Sequence, residues 1–181
     1  LQTFPDFSLE EVASGRFSSS FETYTTDQFW NRDGWVGLKT LTQLLLLNRD
    51  NGRAYFGKDG YLFEKNDPYD SRLVASNCEA VADFLEEARA LSPGLDARVM
   101  LVPTAAAILP EKLPALAPVP DQSAVIAAMG QAAGDALLDP TEVLRAGRAQ
   151  GLFYRTDHHW TTAGAYVGYC VYMQGKGELP L

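Results

Sequence analysis

The centre of this 181-residue sequence is the segment YRTDHHWTTAGAY, residues 154–166. It contains both histidines of the chain, side by side, with a carboxylate two residues before the second of them. Side chains two residues apart in an extended backbone point to the same side, so Asp157 and His159 are expected to meet, with His158 facing the other way. A carboxylate that holds the Nδ1 proton of His159 leaves Nε2 free to take a proton from a hydroxyl nucleophile. The spacing therefore predicts an acid–base pair, with a structural brace of the loop as the plainer alternative.

Outward from this segment, short apolar runs alternate with helical patterns. The runs cover residues 98–102, 136–139 and 152–154, and a helix pattern follows each of them, the last one capped by Thr161 or Thr162. Because strands separated by helices pair in parallel, this order predicts an α/β fold with a doubly wound, mostly parallel sheet and helices on both faces. The continuous apolar run 98–102 is typical of a strand buried on both faces.

Polar residues follow each predicted strand, at the sheet edge where ligands of such folds gather. Thr104, Asp139 and the loop 155–159 all come to this edge. We expect Thr104, Arg155 and Trp160 to line a substrate site beside the acid–base pair. Arg155 has an alternative role as the partner of a carboxylate, and Asp139 is most simply the cap of the following helix.

Before the α/β part (residues 71–174) lie a helical region and a hairpin, and one domain is expected over residues 1–181. The helical region covers residues 1–50, with predicted helices opening at a capping box in residues 8–11 and running over Phe21–Phe29 and Asn31–Leu47. Residues 53–64 are typical of a β-hairpin whose glycines supply positive φ values. The loop in it is no phosphate-binding loop, because it opens a strand and lacks the terminal Lys-Ser/Thr.

A family resemblance is carried by RTDHHWT (155–161), by FGKDGYLF (56–63) and by the opening residues 7–32. These segments resemble the DHHW family, whose relatives are the SGNH-hydrolase-like alginate O-acetyltransferases. The resemblance implies an SGNH-hydrolase-like fold and acyl transfer or ester hydrolysis of O-acetyl groups on an envelope or extracellular carbohydrate. It also implies a secreted or envelope-associated protein, with carbohydrate and an acyl donor as its partners.

The nucleophile is the missing part of this interpretation. In the acetyltransferases that the chain resembles, a serine serves with the Asp-x-His pair and follows it in the sequence. The chain has no Gly-Asp-Ser block and no Gly-x-Ser-x-Gly elbow. We therefore expect a domain that is incomplete at its C-terminus, with the serine outside these residues. The rival interpretation is a non-catalytic carbohydrate-binding or envelope-assembly protein.

Composition excludes several other classes of protein. A net charge of −8 without a basic stripe argues against nucleic acid as a partner. The leucine-rich segment 41–47 is too short to cross a bilayer. Cys78 and Cys170 lie on apolar helix stripes and are expected to be free thiols. No cofactor is implied, and no metal is expected, because adjacent histidines usually point apart and no third ligand stands at helical spacing.

Overall fold

The N-terminal part of the chain is helical, as its sequence predicts. The computed structural model describes residues 3–28 and 30–181, which form two compact units that divide after Asn48. The first unit contains helices α1 (Leu9–Ala13), α2 (Arg16–Asp27) and α3 (Arg32–Leu45). Ser8 caps α1 as predicted, because its hydroxyl accepts the Glu11 N–H at 3.1 Å, whereas the Glu11 carboxylate accepts from Arg16 instead of completing a capping box. None of the described residues in these helices is buried, and the predicted end of the second helix at Phe29 lies outside the described residues.

The second unit, Arg49–Leu181, opens with the predicted hairpin. Strands β1 (Ala54–Phe56) and β2 (Leu62–Glu64) pair antiparallel around a short 3₁₀ turn. The positive φ values in the turn belong to Asp59 and Gly60, at 57° and 77°. Gly57 is needed for a different reason than the one expected. Its φ is −80°, and a Cβ there would lie 2.5 Å from the Phe63 ring.

The remaining helices alternate with short strands. They are α4 (Ser71–Leu91), α5 (Ala105–Ile108), α6 (Ser123–Ala133), α7 (Thr141–Ala146) and α8 (Thr162–Gly175). Strands β3 (Val99–Met100) and β4 (Leu137–Leu138) pair in parallel between them. No helix within residues 3–28 and 30–181 has the length and apolar character needed to cross a membrane.

The structure is α/β, but a doubly wound parallel sheet is not confirmed. In residues 49–181 the strands form two sheets of two strands each, the hairpin and the pair β3–β4. The run 98–102 is also not buried on both faces, because Val99 and Met100 are half-buried and Val102 is 41% exposed. The predicted strand 152–154 forms an isolated antiparallel bridge, Phe153 with Trp160. Its backbone groups bond to the returning chain, which leaves them unavailable to a parallel neighbour.

The buried side chains form two clusters, both in the second unit. One joins the hairpin to α5, α7 and the segment before the histidines, with Phe63, Ile108, Leu144 and Leu152 almost fully buried. The other lies between α4 and α6 and includes Cys78 and Leu85 from the predicted apolar stripe of α4, together with Met129, Ala133 and Ala136. Cys78 and Cys170 are free thiols, as expected.

Candidate active site

The histidines lie on a short loop held at its base. Phe153 and Trp160 form the bridge that closes the loop, and the Tyr154 N–H donates to the His159 carbonyl at 3.2 Å. The loop is also attached to the hairpin, because the Leu62 N–H of β2 donates to the Arg155 carbonyl at 2.6 Å. Residues far apart in sequence therefore fix the position of the loop, and no local pattern could have predicted this attachment.

Asp157 and His159 form the pair that the spacing predicts. The Asp157 Oδ1 atom lies 2.5 Å from Nδ1 of His159 and also accepts the backbone N–H of His159 at 2.9 Å. The His159 backbone N–H, followed by its side chain, lowers the pKa of the Asp157 carboxyl. An ionised carboxylate only accepts hydrogen bonds, so Nδ1 holds the proton and Nε2 is left as the free acceptor. Both side chains are exposed, at 51% and 64%.

His158 does not face away from this pair, which corrects the expectation. Its Nδ1 atom lies 3.6 Å from Asp157 Oδ1, and its ring centroid lies 4.0 Å from that of His159. The expectation assumed an extended backbone in which side chains alternate. The backbone here turns within the loop, as the bond from the His159 N–H back to the Asp157 side chain shows, so alternation does not apply. Asp157, His158 and His159 each offer a ligand atom, all within 4.8 Å of one another.

Trp160 is the packing anchor of the loop. Its side chain packs against the buried cluster of the hairpin, and a Cβ added to Gly168 of α8 would lie 2.7 Å from its ring. A Cβ on Gly164 would overlap the Leu152 carbonyl oxygen and lie 2.8 Å from the Trp160 Cβ. Two glycines of α8 thus allow Trp160 to lie close to the helix. Its predicted contact with substrate stays a prediction.

Arg155 lies beside a charged pair that the sequence did not reveal. Asp59 at the hairpin turn forms an ion pair with Lys112. The hydrogen bond from Lys112 is the main cause that lowers the pKa of Asp59, and the charge of Arg155 contributes to the same effect. The exposed Arg155 side chain therefore lies in a region of both charges at the edge of the histidine loop.

The ends of β3 and β4 share one cleft, as the strand order predicts. A cleft of about 300 Å³ is lined there by Pro103, Gln122, Asp139 and Arg145, among others. Thr104 lies at its rim, where its N–H donates to Gln122 Oε1 at 2.9 Å. Asp139 accepts the Thr141 N–H at 2.9 Å at the start of α7, which is the capping role given to it as the simpler alternative. The loop 155–159 does not line this cleft, and a substrate site shared by Thr104 and the Asp157–His159 pair stays a prediction.

No serine of the second unit serves His159. Its serines are Ser71, Ser76, Ser92 and Ser123. Three of them lie in or next to α4, and the Ser123 hydroxyl donates to Asp121 at 2.9 Å. The polar partner of the His159 side chain in this unit is Asp157. Within residues 49–181 the site thus consists of an imidazole and the carboxylate that orients it.

Fold and site together define a class: an α/β protein that presents a carboxylate–imidazole pair on a loop next to a hairpin. A family model described as the SGNH hydrolase-like domain of the acetyltransferase AlgX matches residues 54–174. The chain belongs to this family of SGNH hydrolase-like domains. The predicted relation to SGNH-hydrolase-like acetyltransferases is thereby confirmed, whereas the narrower assignment to the DHHW family stays a prediction.

A solved structure resembles the fold of this chain. It is Bacillus cereus PatB1 with a sulfonyl adduct, which shares 19% identity with a TM-score of 0.50. The similarity covers 66% of this chain and 41% of the PatB1 chain, so the chain spans less than half of that relative's length. No curated protein matches the sequence. At this identity the likeness concerns the α/β fold alone.

Proposed function

We propose that this domain transfers or hydrolyses O-acetyl groups on an envelope or extracellular carbohydrate. The observation that carries the proposal is the contact of 2.5 Å between Asp157 Oδ1 and His159 Nδ1, which leaves Nε2 as a base. Membership of the family named for the AlgX acetyltransferase supports acyl transfer as the reaction. A carbohydrate substrate and a secreted or envelope-associated location are parts of the same proposal.

The chemistry assigned to the pair is that of a Ser-His-Asp system. His159 Nε2 takes the proton of a serine hydroxyl as its oxygen attacks the acetyl carbonyl, and returns that proton to the departing alkoxide. A sugar hydroxyl or water, deprotonated by the same nitrogen, then releases the acetyl group from the serine. Asp157 keeps Nδ1 protonated and stabilises the imidazolium that forms. We propose that this serine lies outside residues 1–181, with Arg155, Trp160 and Thr104 as candidates for contact with the substrate.

The test is acetyl transfer from p-nitrophenyl acetate to an oligosaccharide. Two quantities are measured, the release of nitrophenolate by its absorbance and the mass of the acetylated sugar. It compares residues 1–181 with the chain as its gene encodes it. We expect turnover in the form that carries the serine. His159→Ala and Asp157→Asn should each lower kcat by about 10⁴-fold or more. Asp83→Asn is the matched control, because Asp83 is an exposed carboxylate on α4.

Two results would contradict the proposal. Wild-type turnover in both site variants would show that the pair is not catalytic. An oligosaccharide that binds in equilibrium dialysis but is not acetylated or deacetylated by the gene-encoded chain would favour the rival carbohydrate-binding protein.

A further inference from the structure

We propose that Asp157, His158 and His159 bind a divalent transition-metal ion, with Zn²⁺ as the reference ion, and that the bound ion blocks the catalytic pair. The binding part of this proposal does not depend on the proposed function, whereas the inhibition part rests on it. The starting observation is that the two imidazoles lie on the same side of the loop as the carboxylate.

The ligand atoms of the three side chains lie close together. Asp157 Oδ1 lies 2.5 Å from Nδ1 of His159 and 3.6 Å from Nδ1 of His158, and one ligand atom from each residue lies within 4.8 Å of the others. Zinc bonds to nitrogen and oxygen of about 2.0–2.1 Å place tetrahedral ligands roughly 3.3 Å apart. The contact between Asp157 and His159 would therefore open by less than about 1 Å to admit the ion.

The donor set selects the kind of ion. Two imidazole nitrogens and one carboxylate oxygen suit zinc, copper or nickel, whereas calcium and magnesium prefer sites made of oxygen alone. The three side chains are 51% to 68% exposed, so a hydrated ion reaches them from solvent and keeps water as its fourth ligand.

The loop is held in the binding arrangement before any ion arrives. The His159 N–H donates to Asp157 Oδ1 at 2.9 Å, and the Tyr154 N–H donates to the His159 carbonyl. The bridge of Phe153 with Trp160 closes the loop at its base. Little backbone freedom therefore remains to be lost on binding, which favours affinity.

Binding and catalysis exclude each other at one atom. In the catalytic pair Nδ1 of His159 carries the single N–H proton of the ring, while in the metal site Nδ1 donates its lone pair to the ion and that proton moves through solvent to Nε2. The Asp157 oxygen that orients the imidazole becomes a ligand at the same time. Nε2 is then an N–H donor and has no lone pair with which to take the proton of a hydroxyl. The ion thus inhibits the reaction by shifting the imidazole proton onto the nitrogen that would act as the base.

Metal binding is tested without any activity assay. The purified protein is dialysed against Zn²⁺, and bound zinc is counted by elemental mass spectrometry and by competition with a coloured chelator. We expect one ion per chain and an affinity for zinc that is about 100-fold lower in His158→Ala. Removing a group that only hydrogen-bonds to a metal ligand already lowers metal affinity about 10–100-fold, so removing a ligand should cost at least as much. Glu79→Ala, which removes an exposed carboxylate of α4, should bind as the wild type does.

The ligands are identified with Co²⁺, whose visible spectrum should show nitrogen and oxygen ligands. A thiolate charge-transfer band would place the ion on Cys78 or Cys170 and overturn the proposal, as would wild-type affinity in His158→Ala.

Inhibition is then measured as the ratio of acetyl transfer with and without Zn²⁺, each variant compared with itself. We expect this ratio to fall below one in the wild type and to return to one when a chelator is added. In His158→Ala the ratio should change far less. Stimulation by zinc, or equal inhibition of both proteins, would overturn the inhibitory role. If no form turns over substrate, the proposed function fails, and zinc binding is decided by the dialysis alone.

Discussion

At the scale of single residues, the hairpin turn and the histidine loop are joined by charge. Asp59 occupies a left-handed backbone position and pairs with Lys112 from the segment after α5. The bond lowers the pKa of Asp59 and raises the pKa of Lys112, in each case mainly through the hydrogen bond to the other. Arg155, the residue that receives the Leu62 N–H, adds its charge to this region. The pair thus links the hairpin turn to the segment after α5, and the Leu62–Arg155 bond links the hairpin to the histidine loop.

The first prediction concerns the pH range of this ion pair. The folded pKa of Asp59 lies below its unfolded value of about 3.9, so its stabilisation is present above that value and is lost as pH falls through the folded pKa. The folded pKa of Lys112 lies above about 10.4, so its stabilisation is present below that value and is lost as pH rises through the folded pKa. We expect the ion pair to stabilise the folded protein from roughly pH 4 to pH 10. This stabilisation should weaken with salt, because both side chains are partly exposed.

The measurement is an NMR titration of the Asp59 carboxyl carbon. In Lys112→Gln the pKa of Asp59 should rise toward its unfolded value, while Lys176→Gln, which removes the partner of Glu178, should leave it unchanged. An unaltered pKa of Asp59 in Lys112→Gln would show that the pair does not persist in solution.

At the scale of elements, α8 determines where the loop ends. Thr161 caps this helix by accepting the Gly164 N–H at 3.3 Å, and the Thr161 N–H donates to the Leu152 carbonyl at 2.8 Å. Gly164 is buried against that carbonyl because it has no side chain, and Gly168 makes room for the Trp160 ring one turn later. The helix start and the loop base are therefore one packed unit.

The second prediction is that Gly164→Ala destabilises the domain. A Cβ at this position overlaps a backbone carbonyl that cannot rotate away, so we expect a loss of about 1–3 kcal/mol in the free energy of unfolding, the usual effect of overpacking. Gly130→Ala in α6 is the control, since its Cβ would meet only a Leu137 methyl at 3.5 Å. That control should be neutral or stabilising by up to about 1 kcal/mol. Equal denaturation midpoints for the two variants in urea would contradict this packing.

At the scale of the whole molecule, the buried residues belong to one of the two units. Among the described residues, every buried hydrophobic side chain lies between Tyr55 and Phe153. The family match, residues 54–174, lies within the same unit, Arg49–Leu181. Helices α1, α2 and α3 contribute no buried residue among those described.

The third prediction is that residues 49–181 fold without the helical N-terminal unit. Because the core lies in this fragment, we expect it to unfold cooperatively and with dispersed amide resonances. Denaturant unfolding and a nitrogen–proton correlation spectrum compare the fragment with the full 181 residues. A fragment with collapsed, undispersed resonances beside a well-folded full chain would show that the N-terminal helices complete the core.

The local sequence was sufficient for the helices, the hairpin and the contact between Asp157 and His159. The apolar residues of segment 71–91 recur at helical spacing and Pro93-Gly94 follows them, a pattern that predicts one helix there, and α4 spans Ser71–Leu91. Asp157 and His159 are two positions apart, so a local turn of the backbone is enough to bring their side chains into contact. Such features depend on interactions within a few residues, which the sequence lists directly.

Only the tertiary structure decided the extent of the sheets, the side on which His158 lies and the attachment of the loop. The run 152–154 has the composition of a strand, but its backbone bonds to Trp160 and its neighbours rather than to β3 or β4. The Leu62–Arg155 bond and the Asp59–Lys112 pair join residues from separate elements. Strand partners and ion pairs of this kind depend on how the chain returns on itself, because a backbone N–H bonds to whichever carbonyl the packed core brings to it.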